Sequence, residues 1–329
     1  MEQYMLTATE AFVIAIGAMG MGMMLLIRGG NWTVDASIYL AKHLGVSRLL
    51  IGLTVIAFGT SLPELIVSIN SNFRDLPGIA LGNVIGSNIA NILLVIGATA
   101  FVAQLTVQPK RVRRDLVIMV SVTAILAGLM ILDWINHTAG FCLFALLVIY
   151  TLWEYRHSKI HGHEDEDHED DPVFKNLKAS AGFLLLGLAG IALGAEFLIR
   201  GATISAEVIG VPDAVIALSV IAIGTSLPEL STCIIAASKK QSDIVIGNII
   251  GSNLFNILMI VGITAMLKPI DMSLAAPQLT ELDIWITLAV SIIFSLILLF
   301  YKKINRMLGI LFLGSYIIYM GVIFALYLT

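Results

Sequence analysis

The residues best suited to chemistry occur twice in the sequence, in two copies of the heptapeptide GTSLPEL. The copies span residues 59–65 and 224–230, so Glu64 and Glu229 occupy equivalent positions. Each glutamate follows a threonine by four residues, which places a hydroxyl and a carboxylate on one helix face. Oxygen ligands of this kind suit hard cations such as Ca²⁺ and Na⁺. The repeated heptapeptide therefore indicates a cation site.

A proline precedes each glutamate, at Pro63 and Pro228. Proline inside a helix cannot donate to the carbonyl four residues earlier and forces that turn open. The backbone carbonyls around Gly59 and Gly224 are then released to act as ligands, and unwound backbone at membrane depth is tolerated where it lines a cavity. We interpret both prolines as helix-breaking residues of the site, with an ordinary proline kink as the alternative.

A second polar motif follows each heptapeptide, as GNVIGSN at 82–88 and GNIIGSN at 247–253. Ser87 and Asn91 lie four residues apart and therefore share a helix face, and so do Ser252 and Asn256 in the second copy. They either bind cations or join helices by hydrogen bonds, whereas the motif glycines allow close helix packing. The candidate side chains are Ser87, Asn91, Ser252 and Asn256.

The combined ligand set contains oxygen atoms and amides but no thiolate or imidazole. Two bidentate glutamates and two threonine carbonyls give six oxygen ligands, within the usual range of about 6–8 for Ca²⁺. The two carboxylates are balanced by one Ca²⁺ or by two or more Na⁺ or H⁺. A site that is neutralised by either cargo can cross the membrane, whereas an unbalanced dianion is penalised by the low dielectric. Competition for the two carboxylates therefore predicts cation exchange.

Composition indicates an integral membrane protein. Of 329 residues, 58% are hydrophobic and 13% charged, against about 45–50% and about 25% in soluble domains. Ten apolar stretches are long enough to span a bilayer, and none alternates with period two, so we predict an all-α protein with ten transmembrane helices. They lie near residues 10–28, 49–72, 78–103, 115–133, 140–155, 178–200, 213–238, 243–267, 282–301 and 307–327.

The two motifs belong to one internal repeat. Residues 59–97 align with 224–262 without a gap at an offset of 165, and upstream LIRG at 26–29 matches 198–201. Each unit thus holds five spans, and an odd number requires the second unit to be inverted, as in many secondary transporters. The predicted domains are a first repeat at 1–156, an acidic, His-rich cytoplasmic loop at 157–177 and a second repeat at 178–329.

Basic residues predict the orientation of the chain. With both termini outside, 16 of the 19 Lys and Arg residues lie in or beside cytoplasmic loops, as the positive-inside rule expects. The central loop carries four histidines among seven acidic residues between His157 and Pro172. It could bind a divalent metal or sense pH, but its composition favours a solvated linker.

The paired motifs resemble the α-repeats of the cation/Ca²⁺ exchanger superfamily, especially those of prokaryotic Na⁺/Ca²⁺ exchangers. The resemblance implies a multi-pass protein of a bacterial or archaeal plasma membrane, with its cavity between spans 2, 3, 7 and 8 and with long spans 1 and 6 that slide to alternate access. It implies Ca²⁺ ligands at Glu64, Glu229 and the carbonyls of Thr60 and Thr225. The implied Na⁺ ligands are Ser61, Ser226, Ser87, Ser252 and the carbonyls of Ala57 and Ala222.

One position departs from that family pattern. Many relatives carry an acidic residue where this chain has Asn256, which leaves ion stoichiometry and K⁺ dependence open. Because Na⁺ and H⁺ can both neutralise the two glutamates, a Ca²⁺/H⁺ antiporter is an alternative to Na⁺/Ca²⁺ exchange. A passive cation channel with Glu64 and Glu229 as its selectivity groups is a further alternative.

The sequence argues against an enzyme. It contains no HExxH, GxSxG or Walker motif, so metalloprotease, serine hydrolase and ATPase chemistry lack their residues. We expect membrane lipid and inorganic cations as partners, and no cofactor, nucleic acid or obligatory protein partner. The transported species are Ca²⁺, Na⁺ and, in the alternative, H⁺.

Overall fold

The computed structural model describes residues 7–161, 174, 176–209 and 224–328. This part is helical apart from one short antiparallel pair of strands, β1 (Leu105–Thr106) and β2 (Lys303–Ile304). Eight of its helices are long and apolar enough to cross a membrane, and a bent pair of helices makes a ninth. The all-helical class is therefore confirmed. The predicted seventh span is described only from residue 224, so the count of ten stays a prediction.

Fourteen α-helices follow one another in the described part. In the first half they are α1 Ala8–Leu44, α2 Arg48–Ile51, α3 Ala57–Thr60, α4 Leu62–Phe73, α5 Pro77–Ala90, α6 Ile96–Val102, α7 Pro109–Ile131 and α8 His137–His161. In the second half they are α9 Leu177–Val208, α10 Leu227–Ser238, α11 Ser242–Phe255, α12 Gly262–Leu267, α13 Ile284–Phe300 and α14 Arg306–Leu328. Wider π-helical turns occur at Gly52–Ile56, Asn91–Val95, Asn256–Val261 and Leu279–Asp283, and a 3₁₀ turn at Met272–Leu274.

The sequence repeat is also a repeat of helix boundaries. Helices α4 and α10 begin and end at positions 165 residues apart, and so do α5 and α11. A π-helical turn then begins at Asn91 in the first copy and at Asn256 in the second. The same residues thus impose the same breaks in the helices in both halves.

Helices α1 and α9, which open the two halves, pack antiparallel along their whole length. Ser180 Oγ donates to the Ala36 carbonyl (3.1 Å) near one end of the pair, and Gly201 lies against Ala15 near the other. Between these ends, a Cβ at Gly29 would lie 2.7 Å from the Gly187 carbonyl oxygen. Equivalent helices that run in opposite directions are what an inverted repeat requires.

Two helix ends correct the predicted boundaries. The first span was predicted to end near Arg28, but α1 continues to Leu44, where Gly45 caps it in the left-handed conformation (φ 64°). At 1.5 Å per residue α1 is about 55 Å long, which exceeds the bilayer core of about 30 Å, so the helix is longer than an upright span needs. The predicted boundary covered only the most apolar part of this helix. Likewise α8 runs to His161, so the predicted loop at 157–177 begins inside a helix; residues 162–173 and 175 lie outside the described part.

The connecting segments contact each other in two groups, one at each end of the bundle. At one end Asp75 pairs with Lys268 (2.7 Å), and at the other Arg111 pairs with Asp243 (3.3 Å). The strands β1 and β2 join at the second end as well, next to Ser242, whose Oγ accepts from Thr106 N (3.1 Å). Spans that run in alternate directions through a membrane would group their connecting segments in this way. Which end is cytoplasmic is predicted only from the distribution of Lys and Arg residues.

The packing of α1 on α9 predicts the effect of adding one methyl group. Gly29→Ala should lower the thermal unfolding midpoint of the purified protein in detergent, because the new Cβ meets the backbone of α9; such overpacking costs about 1–3 kcal/mol. Gly20→Ala is the matched control on the same helix, since a Cβ there has no atom within 4 Å. Equal midpoints for the two variants would contradict the close contact.

Candidate functional site

The first GTSLPEL motif forms a break between two helices rather than a kink within one, and the second motif lies at the start of α10. Helix α3 ends at Thr60, α4 begins at Leu62, and the two segments are bent by 44°. Pro63 therefore lies in the first turn of a new helix, where its missing N–H is not needed, instead of distorting a helix interior as predicted. Pro228 has the same place in α10.

The two breaks have almost the same backbone conformation. Ser61 precedes α4 with φ −86° and ψ 1°, and Ser226 precedes α10 with φ −89° and ψ 4°. At the first break Ser61 N donates to the Ala57 carbonyl (3.1 Å), whereas Pro63 offers no N–H to the Gly59 carbonyl. The local sequence thus gives the same backbone conformation before α4 and before α10, and at the first break it leaves the Gly59 carbonyl without a donor from Pro63.

Both glutamates lie in the first turn of their helices and are almost completely buried. Glu64 and Glu229 are each 1% exposed. The N-terminus of a helix carries a partial positive charge that favours an anion in its first turn. This partial charge offsets only part of the free-energy cost of removing two carboxylates from water. A cation bound between them would offset the rest of that cost.

A chain of hydroxyl contacts joins the two repeats beside the carboxylates. Thr60 Oγ1 lies 3.4 Å from Ser252 Oγ, and Ser252 Oγ donates to Glu229 Oε1 at 3.4 Å. Thr60 belongs to the first repeat, whereas Ser252 and Glu229 belong to the second. The predicted residues of the two motifs therefore meet across the repeat interface.

Many buried polar atoms of this region have no hydrogen-bond partner in the part of the chain that the structure describes. An unsatisfied buried polar group costs about 1–3 kcal/mol, so such atoms are rare in proteins and a group of them calls for an explanation. Bound cations would satisfy the carboxylate, hydroxyl and amide oxygen atoms of this group. The unpartnered atoms here are Ser61 Oγ, Glu64 Oε2, Ser87 Oγ, Asn91 Oδ1 and Nδ2, Ser226 Oγ, Glu229 Oε2 and Asn256 Oδ1.

The two equivalent asparagines of the site differ in their contacts. Asn256 Nδ2 donates to Asn88 Oδ1 (3.0 Å), so its amide nitrogen is used and its oxygen is left over. Neither side-chain polar atom of Asn91 has a partner. Asn88 is held in turn by its own donation to the Asn253 carbonyl (3.4 Å). Position 256 is therefore the more rigidly oriented of the two.

Further polar residues fasten the broken helices to their neighbours, and their role was not predicted. Asn83 Nδ2 donates to the Glu64 carbonyl (3.1 Å) and to Ser68 Oγ (2.9 Å), which ties α4 to α5. In the second repeat Asn248 Nδ2 contacts Cys233 Sγ (3.4 Å) and ties α10 to α11. The asparagines were visible as the second residue of each GNxIGSN motif, but their partners become apparent only in three dimensions.

The remaining predicted residues lie around this centre. The Ala57 carbonyl already accepts hydrogen bonds from Ser61 N (3.1 Å) and Thr60 Oγ1 (3.4 Å). Thr225 is half-buried and lines a cavity of about 600 Å³ that also reaches Ser87. Ala222 lies outside the described residues.

Three further acidic residues are buried within the spans and were missed in the sequence. Asp115 accepts from Tyr150 Oη (2.9 Å), and Asp283 accepts from Tyr319 Oη (3.4 Å). The third, Glu154, lies 3.6 Å from Arg114. All three lie near the ends of spans, where hydropathy alone does not separate a buried acid from a solvated one.

No group of three or more His, Cys, Asp and Glu side chains in the described ranges is arranged to hold a metal ion. A cation at Glu64 and Glu229 would therefore depend on hydroxyl, amide and carbonyl oxygens in addition to two carboxylates. Such a mixed oxygen set suits Ca²⁺ and Na⁺ and not zinc or copper.

Comparison with known proteins agrees with this geometry. Residues 14–156 and 179–325 match the sodium/calcium exchanger protein family. The inner membrane protein YrbG of Escherichia coli is 32% identical over 329 residues, covering 97% of this chain and 98% of the relative. The sodium/calcium exchanger MaX1 of Methanosarcina acetivorans is 31% identical over 346 residues, covering 92% of this chain and 97% of the relative.

A solved structure is similar over nearly the whole chain. The sodium-calcium exchanger NCX_Mj, soaked with 10 mM Na⁺ and 10 mM Sr²⁺, superimposes with a TM-score of 0.80 at 32% identity. The match covers 94% of this chain and 98% of that structure. On the evidence of these matches and of its fold, the chain belongs to the sodium/calcium exchanger family of multi-pass membrane cation/Ca²⁺ antiporters.

Proposed function

We propose that this protein exchanges Ca²⁺ for Na⁺ by alternating access, with the two cations competing for Glu64 and Glu229. The observation that carries the proposal is the group of buried, unpartnered oxygen atoms around these two carboxylates. Two negative charges in a low dielectric are stable when balanced by one Ca²⁺ or by at least two monovalent cations. Exchange follows because only a balanced site can move between the two sides of the membrane.

The ligands divide according to charge. Ca²⁺ is held by Glu64, Glu229 and the carbonyls of Thr60 and Thr225, where the starts of α4 and α10 present carboxylates and main-chain oxygen together. Na⁺ uses the oxygen atoms around this centre, and their lack of hydrogen-bond partners supports this assignment for most of them. They belong to Ser61, Ser87, Asn91, Ser226, Ser252 and Asn256 and to the carbonyls of Ala57 and Ala222.

The proposed architecture has ten spans in two inverted repeats, with both termini outside and a cytoplasmic loop between the halves. The antiparallel packing of α1 on α9 supports the inversion, because these helices open the two repeats. The bent pair α2–α4 accounts for the second span, and α10 forms the described end of the seventh. The distribution of basic residues supports the orientation.

Na⁺ is proposed as the coupling ion in preference to H⁺ or K⁺. The names of the similar proteins MaX1 and NCX_Mj include sodium and calcium exchange. In this chain the site also presents neutral oxygen ligands in excess of the two carboxylates. Proton coupling would need only the carboxylates, whereas Na⁺ needs several oxygen atoms around it.

Vesicles with imposed ion gradients test the coupling. Purified protein in liposomes should take up ⁴⁵Ca²⁺ when Na⁺ is loaded inside and diluted outside. Matched K⁺ or H⁺ gradients, set to the same membrane potential, should give much less uptake. Uptake driven equally by an H⁺ gradient would support the Ca²⁺/H⁺ alternative, and gradient-independent electrodiffusive uptake would support a channel.

Glu64→Gln and Glu229→Gln should each abolish Ca²⁺ exchange. Removal of one charge leaves Ca²⁺ under-compensated by about 3–5 kcal/mol, which corresponds to a loss of affinity of more than about 100-fold. Glu281→Gln is the control, because this exposed glutamate lies at the edge of the membrane. Near-normal ⁴⁵Ca²⁺ uptake by either site variant, inserted at a normal level, would remove that glutamate from the site.

Asn256→Asp should change the Na⁺ dependence more than the selection of Ca²⁺. The variant adds a carboxylate beside the site and loses the donation to Asn88, so more monovalent charge is needed to balance it. The number of Na⁺ per Ca²⁺, obtained from the reversal potential of exchange in liposomes, should rise. Unchanged coupling would show that position 256 does not face the transported ions; Asn91→Asp provides the comparison in the other repeat.

A further inference from the structure

An ion pair fastens α1 to α10 at one end of the bundle. Lys239 Nζ lies 2.7 Å from Asp35 Oδ1, and both side chains are largely buried. The two helices pack directly next to this pair, where Ile235 lies against Gly30. The contact joins the long antiparallel α1–α9 pair to the helix that carries Glu229. It therefore lies where relative movement of these parts would be resisted.

The internal repeat assigns an equivalent to each partner. The LIRG alignment has an offset of 172 residues and matches Asp35 with Glu207, and the GTSLPEL alignment has an offset of 165 and matches Lys239 with Arg74. Asp35 and Glu207 are both acidic, and Lys239 and Arg74 are both basic, so each equivalent position keeps its charge although the residue type changes. Arg74 and Lys239 also end α4 and α10 with nearly identical backbones, with φ −89° in both and ψ 12° and 13°.

The equivalent residues are not paired in this structure. The side chains of Arg74 and Glu207 are exposed, and neither makes an ion pair with a residue in the described ranges. One of two symmetry-equivalent ion pairs is thus formed and the other is open. In an inverted repeat, the opposite state is obtained when the two halves exchange conformations. If the two halves exchange conformations in this chain, Arg74 and Glu207 come together while Asp35 and Lys239 separate.

The contact between α1 and α9 connects the two events. Because glycines bring the two backbones together at several levels, the helices are expected to move as one body. Asp35 lies near the end of α1 and Glu207 near the end of α9, at opposite ends of that body. A slide of this body that withdraws Asp35 from Lys239 therefore moves Glu207 toward Arg74.

We propose that Arg74 and Glu207 form a reciprocal ion pair that holds the opposite access state, in which the Asp35–Lys239 pair is open. The proposal rests on the alternating access of the proposed function and adds the residues that hold each state. The two pairs act as positioning contacts: each stabilises one of the two access states relative to the conformations between them. Neither pair touches the transported cation.

Cross-linking at the closed end tests the charges. In a Cys142→Ala/Cys233→Ser background, the Asp35→Cys/Lys239→Cys protein reports closure of that end through its disulfide yield in membranes. Arg74→Glu should raise this yield about threefold, because the competing state loses its ion pair. The double exchange Arg74→Glu/Glu207→Arg should return the yield to the starting level. Lys268→Glu, a charge reversal at the same end as Arg74, is the control and should not reproduce the effect and its rescue.

Cross-linking at the open end tests the proximity directly. An Arg74→Cys/Glu207→Cys protein should give a disulfide whose yield rises about threefold with Lys239→Met but not with Lys240→Met, the exposed neighbour. No disulfide in either background, or equal yields in both, would overturn the proposal. Monodisperse elution of each variant establishes that it has folded.

These measurements do not depend on the transported ion. If Na⁺ fails to drive Ca²⁺ uptake while the two yields respond reciprocally, the proposed coupling is wrong and the reciprocal pair stands. If exchange is observed while the yields do not respond, the reciprocal pair is wrong and the proposed function stands. The two hypotheses can therefore fail separately.

Discussion

Two carboxylates without an internal counter-charge, buried deep in the protein, are the constraint on which the rest of this structure depends. Glu64 and Glu229 are almost inaccessible, and no described Lys or Arg forms an ion pair with either. Desolvation makes such a pair unstable unless charge is brought from outside. The hydroxyls, amides and main-chain carbonyls around the pair provide oxygen atoms that suit a cation, whereas the positive dipole ends of α4 and α10 stabilise the carboxylates themselves.

The fold meets this constraint by repetition. One repeat supplies Thr60 and Glu64 and the other supplies Glu229 and Ser252, and the contacts among Thr60, Ser252 and Glu229 cross between the two repeats. In the proposed inverted arrangement, an exchange of conformations between the two halves gives a second, equivalent conformation. The single Asp35–Lys239 pair shows that the halves differ in the present structure. Asymmetry between equivalent halves is the physical basis of access from alternate sides.

The motifs could be recognised in the sequence because their residues are costly in a membrane. Polar residues and proline at equivalent places in two apolar segments have few purely structural uses, so Glu64, Pro63 and Ser87 could be singled out without coordinates. The full length of α1 could not be predicted, because its extension beyond Arg28 depends on packing against α9. Nor could the burial of Asp115, since the tyrosine that satisfies it lies on another helix.

Equilibrium binding of ⁴⁵Ca²⁺ to the purified protein in detergent tests the central claim most directly. The account predicts one Ca²⁺ per chain, with an apparent dissociation constant that rises with at least the second power of the Na⁺ concentration, since two or more Na⁺ replace one Ca²⁺ at the same carboxylates. Binding that is insensitive to Na⁺, or that persists unchanged in a Glu64→Gln/Glu229→Gln protein, would contradict it.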